Sequence, residues 1–230
     1  MKFNGLTPFI YLCGALGLSI QGVQATPLDA QNANLASNVE TKTESSAKSE
    51  LRQLIAKFQS LQANFSQEIA DMQGELLQET EGSILLQKPN MLRWEVKSPD
   101  ESLLIADGQT VYNIDPFVEQ LTLMEQDSLT ASNPLMLLIS DDEEQWANVN
   151  IEKLDGDFII KPQNTDAQIS MLILSFNKDK QLSLLTSIDQ QQQRNVISFS
   201  DIEYNVTMPA SVFSYKPNAN WVIDDQRAKN

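Results

Sequence analysis

Short apolar runs separated by polar turns fill most of the chain after Glu81. The candidate strands are Glu81–Gln87, Met91–Val96, Glu101–Ala106, Thr110–Asp115, Gln120–Met124, Val149–Leu154, Phe158–Pro162, Ile169–Phe176, Gln181–Ile188 and Asn195–Ile202. Asp107-Gly108 and Asp155-Gly156 are dipeptides that favour tight hairpin turns. The links are too short for parallel crossovers, so neighbouring strands should be antiparallel. The pattern predicts a long meander that closes or half-closes into a barrel.

Several of these strands are apolar on both faces. The clearest cases are Ile84-Leu85-Leu86, Leu103-Leu104-Ile105, Met171 to Leu174 and Leu182 to Leu185. A sheet with one face in water alternates between apolar and polar residues, so these strands need cover on both sides. A curved sheet of about ten strands encloses space for an apolar ligand. A packed sandwich core explains the same pattern, and the residues alone do not separate the two interpretations.

Helical patterns occur at three places. Apolar residues at steps of three and four predict an amphipathic helix with Ser49 as its N-cap: Leu51, Leu54, Ile55, Phe58 and Leu61. The stretch Asn133–Ser140 has Pro134 in its first turn and is apolar on all sides, so it must be buried or must cover an apolar surface. Residues 207–213 form a third, shorter candidate.

The first 48 residues differ from the rest. Lys2, the apolar stretch Phe9–Ile20 and the short residues before position 26 predict a signal peptide that is cleaved after Ala25. A membrane anchor is the alternative, but the apolar stretch is too short to span a bilayer comfortably. Residues 26–48 are polar and without apolar period, which predicts a disordered leader, with a partner-binding tether as the alternative. The folded domain is expected at 49–230.

Charge and composition exclude several functions. The chain carries 16 Lys+Arg against 31 Asp+Glu, a net charge of -15, which argues against a nucleic-acid partner. It has no His, which removes the commonest general base and most zinc sites. Asp141-Asp142-Glu143-Glu144 lacks the ligand spacing of a calcium loop and is predicted to be a solvated loop. We therefore expect neither a cofactor nor a metal, and no enzyme activity.

A set of short strings, in order along residues 49–227, resembles one family. They are Ala63-Asn64-Phe65-Ser66-Gln67, Lys88-Pro89-Asn90-Met91-Leu92-Arg93-Trp94, Pro99-Asp100-Glu101-Ser102, Ala106-Asp107-Gly108, Asp115-Pro116-Phe117-Val118-Glu119-Gln120 and Asp224-Asp225-Gln226-Arg227. Together they resemble the outer-membrane lipoprotein carrier protein (LolA) family of Gram-negative periplasms. The resemblance implies a mainly β fold, a half-open antiparallel barrel of about 10 to 11 strands with short helices as a lid.

The resemblance also implies the function and its residues. A monomeric periplasmic chaperone would take acylated lipoprotein cargo from an inner-membrane ATP-driven transporter and deliver it to an outer-membrane receptor lipoprotein. The acyl-chain and lid positions matched in this sequence are Leu51, Ile55, Leu92, Trp94, Leu135, Leu138 and Ile139. Lys88 matches a latch position that bonds the lid shut and is usually Arg in this family. Arg93, beside Leu92 and Trp94, is the candidate contact to a partner protein.

Three alternatives remain open at this stage. A receptor of the same pathway would carry a lipid-modified cysteine at its cleavage site, whereas residue 26 is Thr. A general periplasmic chaperone or hydrophobic-ligand binder would differ from the carrier only in its cargo. A hydrolase would need paired carboxylates, and nothing in the sequence places two of them together.

Overall fold

The computed structural model describes residues 46–126, 135–140, 142–164 and 167–227. The predicted signal peptide, residues 26–45 of the predicted leader, and Asn133 and Pro134 lie outside the described residues. Within these ranges, no helix has both the length and the apolar character needed to cross a membrane.

One sheet dominates the fold. Its strands are β1 Ser60–Ala70, β2 Leu76–Gln87, β3 Met91–Ser98, β4 Ser102–Asp107, β5 Thr110–Asp115, β6 Gln120–Glu125, β7 Val149–Leu154, β8 Asp157–Pro162, β9 Ile169–Phe176, β10 Leu182–Asp189, β11 Arg194–Tyr204 and β12 Val222–Asp225. The 12-stranded order is β12-β6-β5-β4-β3-β2-β1-β11-β10-β9-β8-β7, so β12 and β7 are edges and the sheet does not close. The predicted mainly β, half-open barrel is confirmed.

All ten predicted strands are present, but the sheet contains two more. β1 was missed because Leu61, its second residue, continues the helical spacing of the preceding segment. The prediction that Leu61 belongs to the helix was therefore wrong, since Leu61 pairs with Tyr204 of β11 and Leu86 of β2. β12 is short and pairs with β6 in parallel, which makes it an exception to the predicted antiparallel pattern.

The described residues contain three short α-helices and one 3-10 helix. α1 covers residues 46–55, α2 is Leu135–Ile139 and α3 is Glu143–Ala147, and a 3-10 helix follows at Ala210–Phe213. α1 already includes residues 46–48, which the sequence analysis assigned to the leader, and Ser49 lies inside it. Ala47 is buried, so the ordered domain extends further toward the N-terminus than the polar composition indicated.

The two faces of the sheet are covered by different parts of the chain. Strand β3 alternates between buried and half-exposed residues, which places Leu92, Trp94 and Val96 on the concave face. A second core lies on the outer face of β4 to β6, where Phe213 of the 3-10 helix packs with Ile105 and Ile114. Two separate covers thus explain why β2 and β4 are apolar on both faces.

Candidate functional site

The wall of the candidate site is the concave face of β2, β3 and β4. Ile84 of β2 pairs with Trp94 of β3, and Leu86 pairs with Leu92. Leu92 is 0% exposed and Trp94 is 1% exposed. Leu104 of β4 continues the row beside Trp94 and is also buried. Alternation along three neighbouring strands therefore builds a continuous apolar surface.

An aromatic pair lies in this wall. Phe65 of β1 stacks on Trp94 with ring centroids 3.8 Å apart and an interplanar angle of 28°. Strand β2 lies between β1 and β3, and its residue opposite Phe65 is Gly82. Because glycine has no side chain, this position leaves room for the two rings. A Cβ at Gly82 would meet the Glu95 carbonyl oxygen at 1.9 Å and the Phe65 ring at 2.7 Å. The close approach of these strands therefore requires glycine.

The helices supply the opposing apolar side chains. Five of these side chains are buried: Leu51 and Ile55 of α1, and Met136, Leu138 and Ile139 of α2. The helices are too short to bury such residues within themselves, so we infer that these side chains face the wall and form a lid made of α1 and α2. Leu135 begins α2, but its side chain is outside what the structure describes, so its role stays a prediction.

Lys88 ties the end of α1 to the sheet. It follows β2, and its Nζ donates a hydrogen bond to the Ile55 carbonyl oxygen at 2.9 Å. The same ammonium group lies 4.9 Å from the centroid of the Phe58 ring. Carbonyls in the last turn of a helix lack intrahelical partners, and a cation is favoured at that end of the helix dipole. The geometry fits the latch position that the family resemblance implied.

A second tie, to α2, was not predicted. The backbone N–H of Asn90, two residues after Lys88, donates to the carbonyl oxygen of Ile139, the last residue of α2, at 3.2 Å. Asn90 has a φ of 58°, a left-handed conformation that Asn tolerates better than most residues. A main-chain bond leaves no charge pattern in the sequence, so only the quoted Pro89-Asn90 turn hinted at it.

The exposed side of α1 contacts α3. Arg52 forms a two-pronged ion pair with Glu143, with Nη1 2.9 Å from Oε2, and it lies 5.6 Å from the centroid of the Trp146 ring. The hydrogen bond from Arg52 lowers the pKa of Glu143, and the same bond raises the pKa of Arg52. Both groups are largely exposed, so the pair contributes little to stability.

The described residues of the acidic segment, 142–144, lie at the start of α3. Asp142 is the N-cap of α3, where its side chain accepts a hydrogen bond from the Glu144 N–H at 2.8 Å, and Glu143 begins the helix. These carboxylates are exposed to solvent, as predicted, but they lie at the beginning of a helix and not in a loop. Among the residues that the structure describes, no group of three or more His, Cys, Asp and Glu could hold a metal ion.

Arg93 lies on the opposite face of β3 from Leu92 and Trp94. Its side chain is 24% exposed and sits 3.4 Å from a carboxylate oxygen of Glu95. Nη1 also donates to the Val212 carbonyl oxygen at 3.4 Å. Arg93 lines a polar depression together with Lys97 and Asn64. The structure therefore places Lys88 beside Ile55 of the lid, whereas Arg93 lies on the other face of the sheet.

This architecture defines a class: half-open β-barrels whose apolar concave face is covered by a lid of short helices. The family model of the outer membrane lipoprotein carrier protein LolA matches residues 56–216, and the chain belongs to this family. The resemblance found in the sequence is confirmed.

Named relatives agree with this assignment. The outer-membrane lipoprotein carrier protein of Pseudoalteromonas translucida is 34% identical over 178 residues, which cover 76% of this chain and 86% of the relative. The protein of the same name from Psychromonas ingrahamii is 33% identical, with 84% and 93% covered. Among solved structures, the LolA superfamily protein NE2245 from Nitrosomonas europaea aligns with a TM-score of 0.46 and 12% identity. The alignment covers 74% of this chain and 97% of that chain. This similarity is too low to add to the family assignment.

Proposed function

We propose that this protein is a periplasmic carrier that binds the acyl chains of lipoproteins released from the inner membrane and delivers them to an outer-membrane receptor. The observation that carries the proposal is the apolar concave wall beneath a lid of short helices. Membership of the lipoprotein carrier family supports the choice of cargo. The proposal includes export with cleavage after Ala25, action as a monomer and no catalytic step.

The proposed partners follow from the cargo. Acylated lipoproteins are anchored in a bilayer, and burial of each acyl CH₂ is worth about 0.8 kcal/mol. Extraction from the inner membrane therefore needs an energy source, which we assign to an ATP-driven transporter. An outer-membrane receptor lipoprotein would take the cargo by direct contact. Complete burial of two or three chains would exceed the practical limit of affinity, about -20 kcal/mol, so the bound chains should be covered incompletely.

In this proposal the lid opens to load cargo and closes after delivery. Lys88 is the proposed latch, because its bond to Ile55 holds α1 in the closed position. A Lys offers three donors on a flexible stem, whereas an Arg offers five in a rigid fork, so this latch should be weaker than one built on Arg. A latch that stabilises the closed lid favours release of cargo and opposes loading, since cargo must first open the lid.

The proposed partner contact remains Arg93. Its position on the outer face of β3 leaves about a quarter of the side chain accessible, at 24% exposed. The overall charge of -15 would repel an acidic partner, so a local cation is the expected contact to a carboxylate on the transporter or receptor.

The function is tested with inner-membrane vesicles that contain the transporter and one acylated lipoprotein. In the presence of ATP, the purified protein should bring the lipoprotein into the supernatant as a one-to-one complex and then pass it to outer-membrane vesicles. The same lipoprotein without its acylated cysteine is the control and should not be bound. Binding of free lipid with no extraction of lipoprotein would instead support a general hydrophobic-ligand binder.

A further inference from the structure

Gln126 occupies an unusual position between two turns at the end of the sheet that carries Lys88. It directly follows β6, is 4% exposed and is the last described residue before α2. Its Oε1 accepts a hydrogen bond from the Gly108 N–H at 2.8 Å, and its Nε2 donates to the Asn90 carbonyl oxygen at 2.6 Å. Its own N–H donates to the Gln109 carbonyl oxygen at 3.0 Å. One buried amide side chain therefore joins the β2–β3 turn to the β4–β5 turn.

Asn90 connects this side chain to the lid. Its carbonyl is held by Gln126, while its N–H donates to Ile139 at the end of α2. The left-handed backbone of Asn90 can be kept in one orientation only by its surroundings, because such conformations are sparsely populated. Fixing the carbonyl of a residue with restricted φ and ψ also restricts the direction of its N–H.

We propose that Gln126 is a positioning residue for the lid, which holds the Asn90 N–H in the direction of the α2 carbonyl terminus. The lid is then held by two separate contacts. The charged side chain of Lys88 holds α1 through Ile55, and the uncharged bonds from Gln126 to Asn90 and from Asn90 to Ile139, which we call the relay, hold α2. The relevance of this relay to cargo rests on the proposed function, whereas the relay itself is a property of the protein without cargo.

The two lid contacts differ in charge, which predicts different responses to salt. The Lys88 bond involves a cation and is only partly buried, so salt should weaken it somewhat more than a bond between neutral groups. The described bonds of the relay, from Gln126 to Asn90 and from Asn90 to Ile139, join only amide groups, so salt should affect them less than it affects the Lys88 bond. Loading in high salt should therefore still require α2 to be released from Asn90.

The decisive variant is Gln126→Glu, because it replaces the donor that faces Asn90 and keeps the acceptor that faces Gly108. The introduced carboxylate can still accept from the Gly108 N–H, but it presents an oxygen to the Asn90 carbonyl where the parent has a donor. Protonation of the introduced carboxyl restores a donor. A purely local role in the β4–β5 turn would leave α2 unaffected by this change.

Gln67→Glu is the matched control. Gln67 is also buried, at 6% exposed, and its Oε1 accepts from Thr80 at 3.0 Å while its Nε2 donates to Asn195 at 2.9 Å. It lies within β1, and its bonds do not reach the lid. Both variants bury a similar new carboxyl, so a general loss of stability should appear in both.

Amide hydrogen exchange on the cargo-free protein provides the readout. In Gln126→Glu above the pKa of the introduced carboxyl, protection of the Asn90 and Ser140 amides should fall about tenfold relative to the parent, as expected for one lost hydrogen bond. The Ser140 N–H is informative because it closes α2 by donating to Met136 at 2.9 Å. Protection of β9 and β10 should be unchanged, and the loss at Asn90 and Ser140 should reverse at lower pH.

Unchanged protection at Asn90 and Ser140, or an equal loss there in Gln67→Glu, would overturn the proposal. If Gln126→Glu does not fold, Gln126→Met keeps a similar length, removes both bonds and should loosen α2 at every pH. Unchanged α2 protection in Gln126→Met would equally contradict a positioning role. Because no cargo is present, these results are independent of whether the cargo is an acylated lipoprotein.

Discussion

The two faces of the sheet are covered in different ways. On the concave face, the lid is attached through Lys88 to Ile55 and through Asn90 to Ile139. On the outer face, residues 206–221 form what we call the outer cover, which is continuous with a strand of the sheet. β12 follows the outer cover and pairs with β6, and the N–H groups of Val222 and Gln226 donate to the β5–β6 turn and to β6, each at 2.9 Å.

The difference indicates which cover can move. α2 has five residues, far below the length at which a helix is stable on its own, so it persists only through burial and the bonds at its end. The outer cover carries Phe213 into a core with Ile105 and Ile114 and is continuous with a strand of the sheet. We expect the lid to open while the sheet and the outer cover remain intact.

The largest effect is expected from Phe213→Ala. Removal of this buried ring from the outer core should lower the free energy of unfolding by about 3 to 5 kcal/mol, as measured by urea denaturation. Met136→Ala on α2 is the matched substitution in the lid. The loss of unfolding free energy in Met136→Ala cannot exceed the free energy of lid closure. Beyond that limit the folded protein with an open lid is the more stable form, and the substitution no longer affects it. Equal losses above about 3 kcal/mol in both variants would contradict the comparison, because such a lid could not open readily.

Lys88→Leu should give the next largest effect. It removes a charge-assisted bond worth about 1.5 to 3 kcal/mol from the closed lid, while the outer cover stays unchanged. The variant should load cargo at least as well as the parent and deliver it poorly, and Lys88→Arg should shift the balance in the opposite direction. Loading from inner-membrane vesicles and transfer to the receptor must be measured separately. A defect in loading alone, or no change in either step, would rule out the latch.

Arg93→Glu should act at the partner and leave the lid in place. The variant should slow loading or delivery at low ionic strength, where contacts between exposed charges are strongest. Stability should fall by about 1 to 3 kcal/mol, because the variant loses the Val212 bond and the Glu95 pair, so transfer is compared at a temperature where both proteins are folded. Lys97→Glu reverses a charge on the same strand and face and serves as the control. Transfer rates equal to those of the parent would remove Arg93 as a contact, and equal slowing by Lys97→Glu would indicate a general effect of charge.

The smallest effect concerns the ion pair between α1 and α3. Arg52 lowers the pKa of Glu143 in the folded protein, so the pair stabilises at pH values above the ordinary glutamate pKa. That contribution is lost as the pH falls through the lowered pKa. The difference in urea midpoint between the parent and Glu143→Gln should therefore be small at neutral pH and vanish in acid. A difference that grows as the pH falls would have the wrong sign.

Much of the sheet was predictable because period-two alternation and turn dipeptides are local signals. Ile169–Phe176 and Val149–Leu154 were placed with their observed bounds. Gly108 and Gly156 have positive φ at the predicted hairpin turns. β1 was missed because it follows α1 closely, and its residue Leu61 also fits the apolar spacing of the helix.

The site was less predictable, for physical reasons. Lys88 gives no signal by itself, and only the family resemblance pointed to its role. The roles of Asn90 and Gln126 depend on main-chain groups of two turns and of the end of α2, and such contacts leave no pattern along the chain. The sequence analysis predicted a short helix at 207–213, but it did not show that Phe213 would cover the outer face.

Placement of the acyl chain is the most direct test of the central claim, that cargo lies against the concave wall and displaces the lid. Trp94 lies in that wall, whereas Trp221 lies in the outer core. One variant keeps only Trp94 (Trp146→Phe with Trp221→Phe), and a second keeps only Trp221 (Trp94→Phe with Trp146→Phe). A lipopeptide with brominated acyl chains should quench fluorescence in the first variant and leave the second unchanged. Bound lipopeptide that quenches Trp221, or neither tryptophan, would contradict this account.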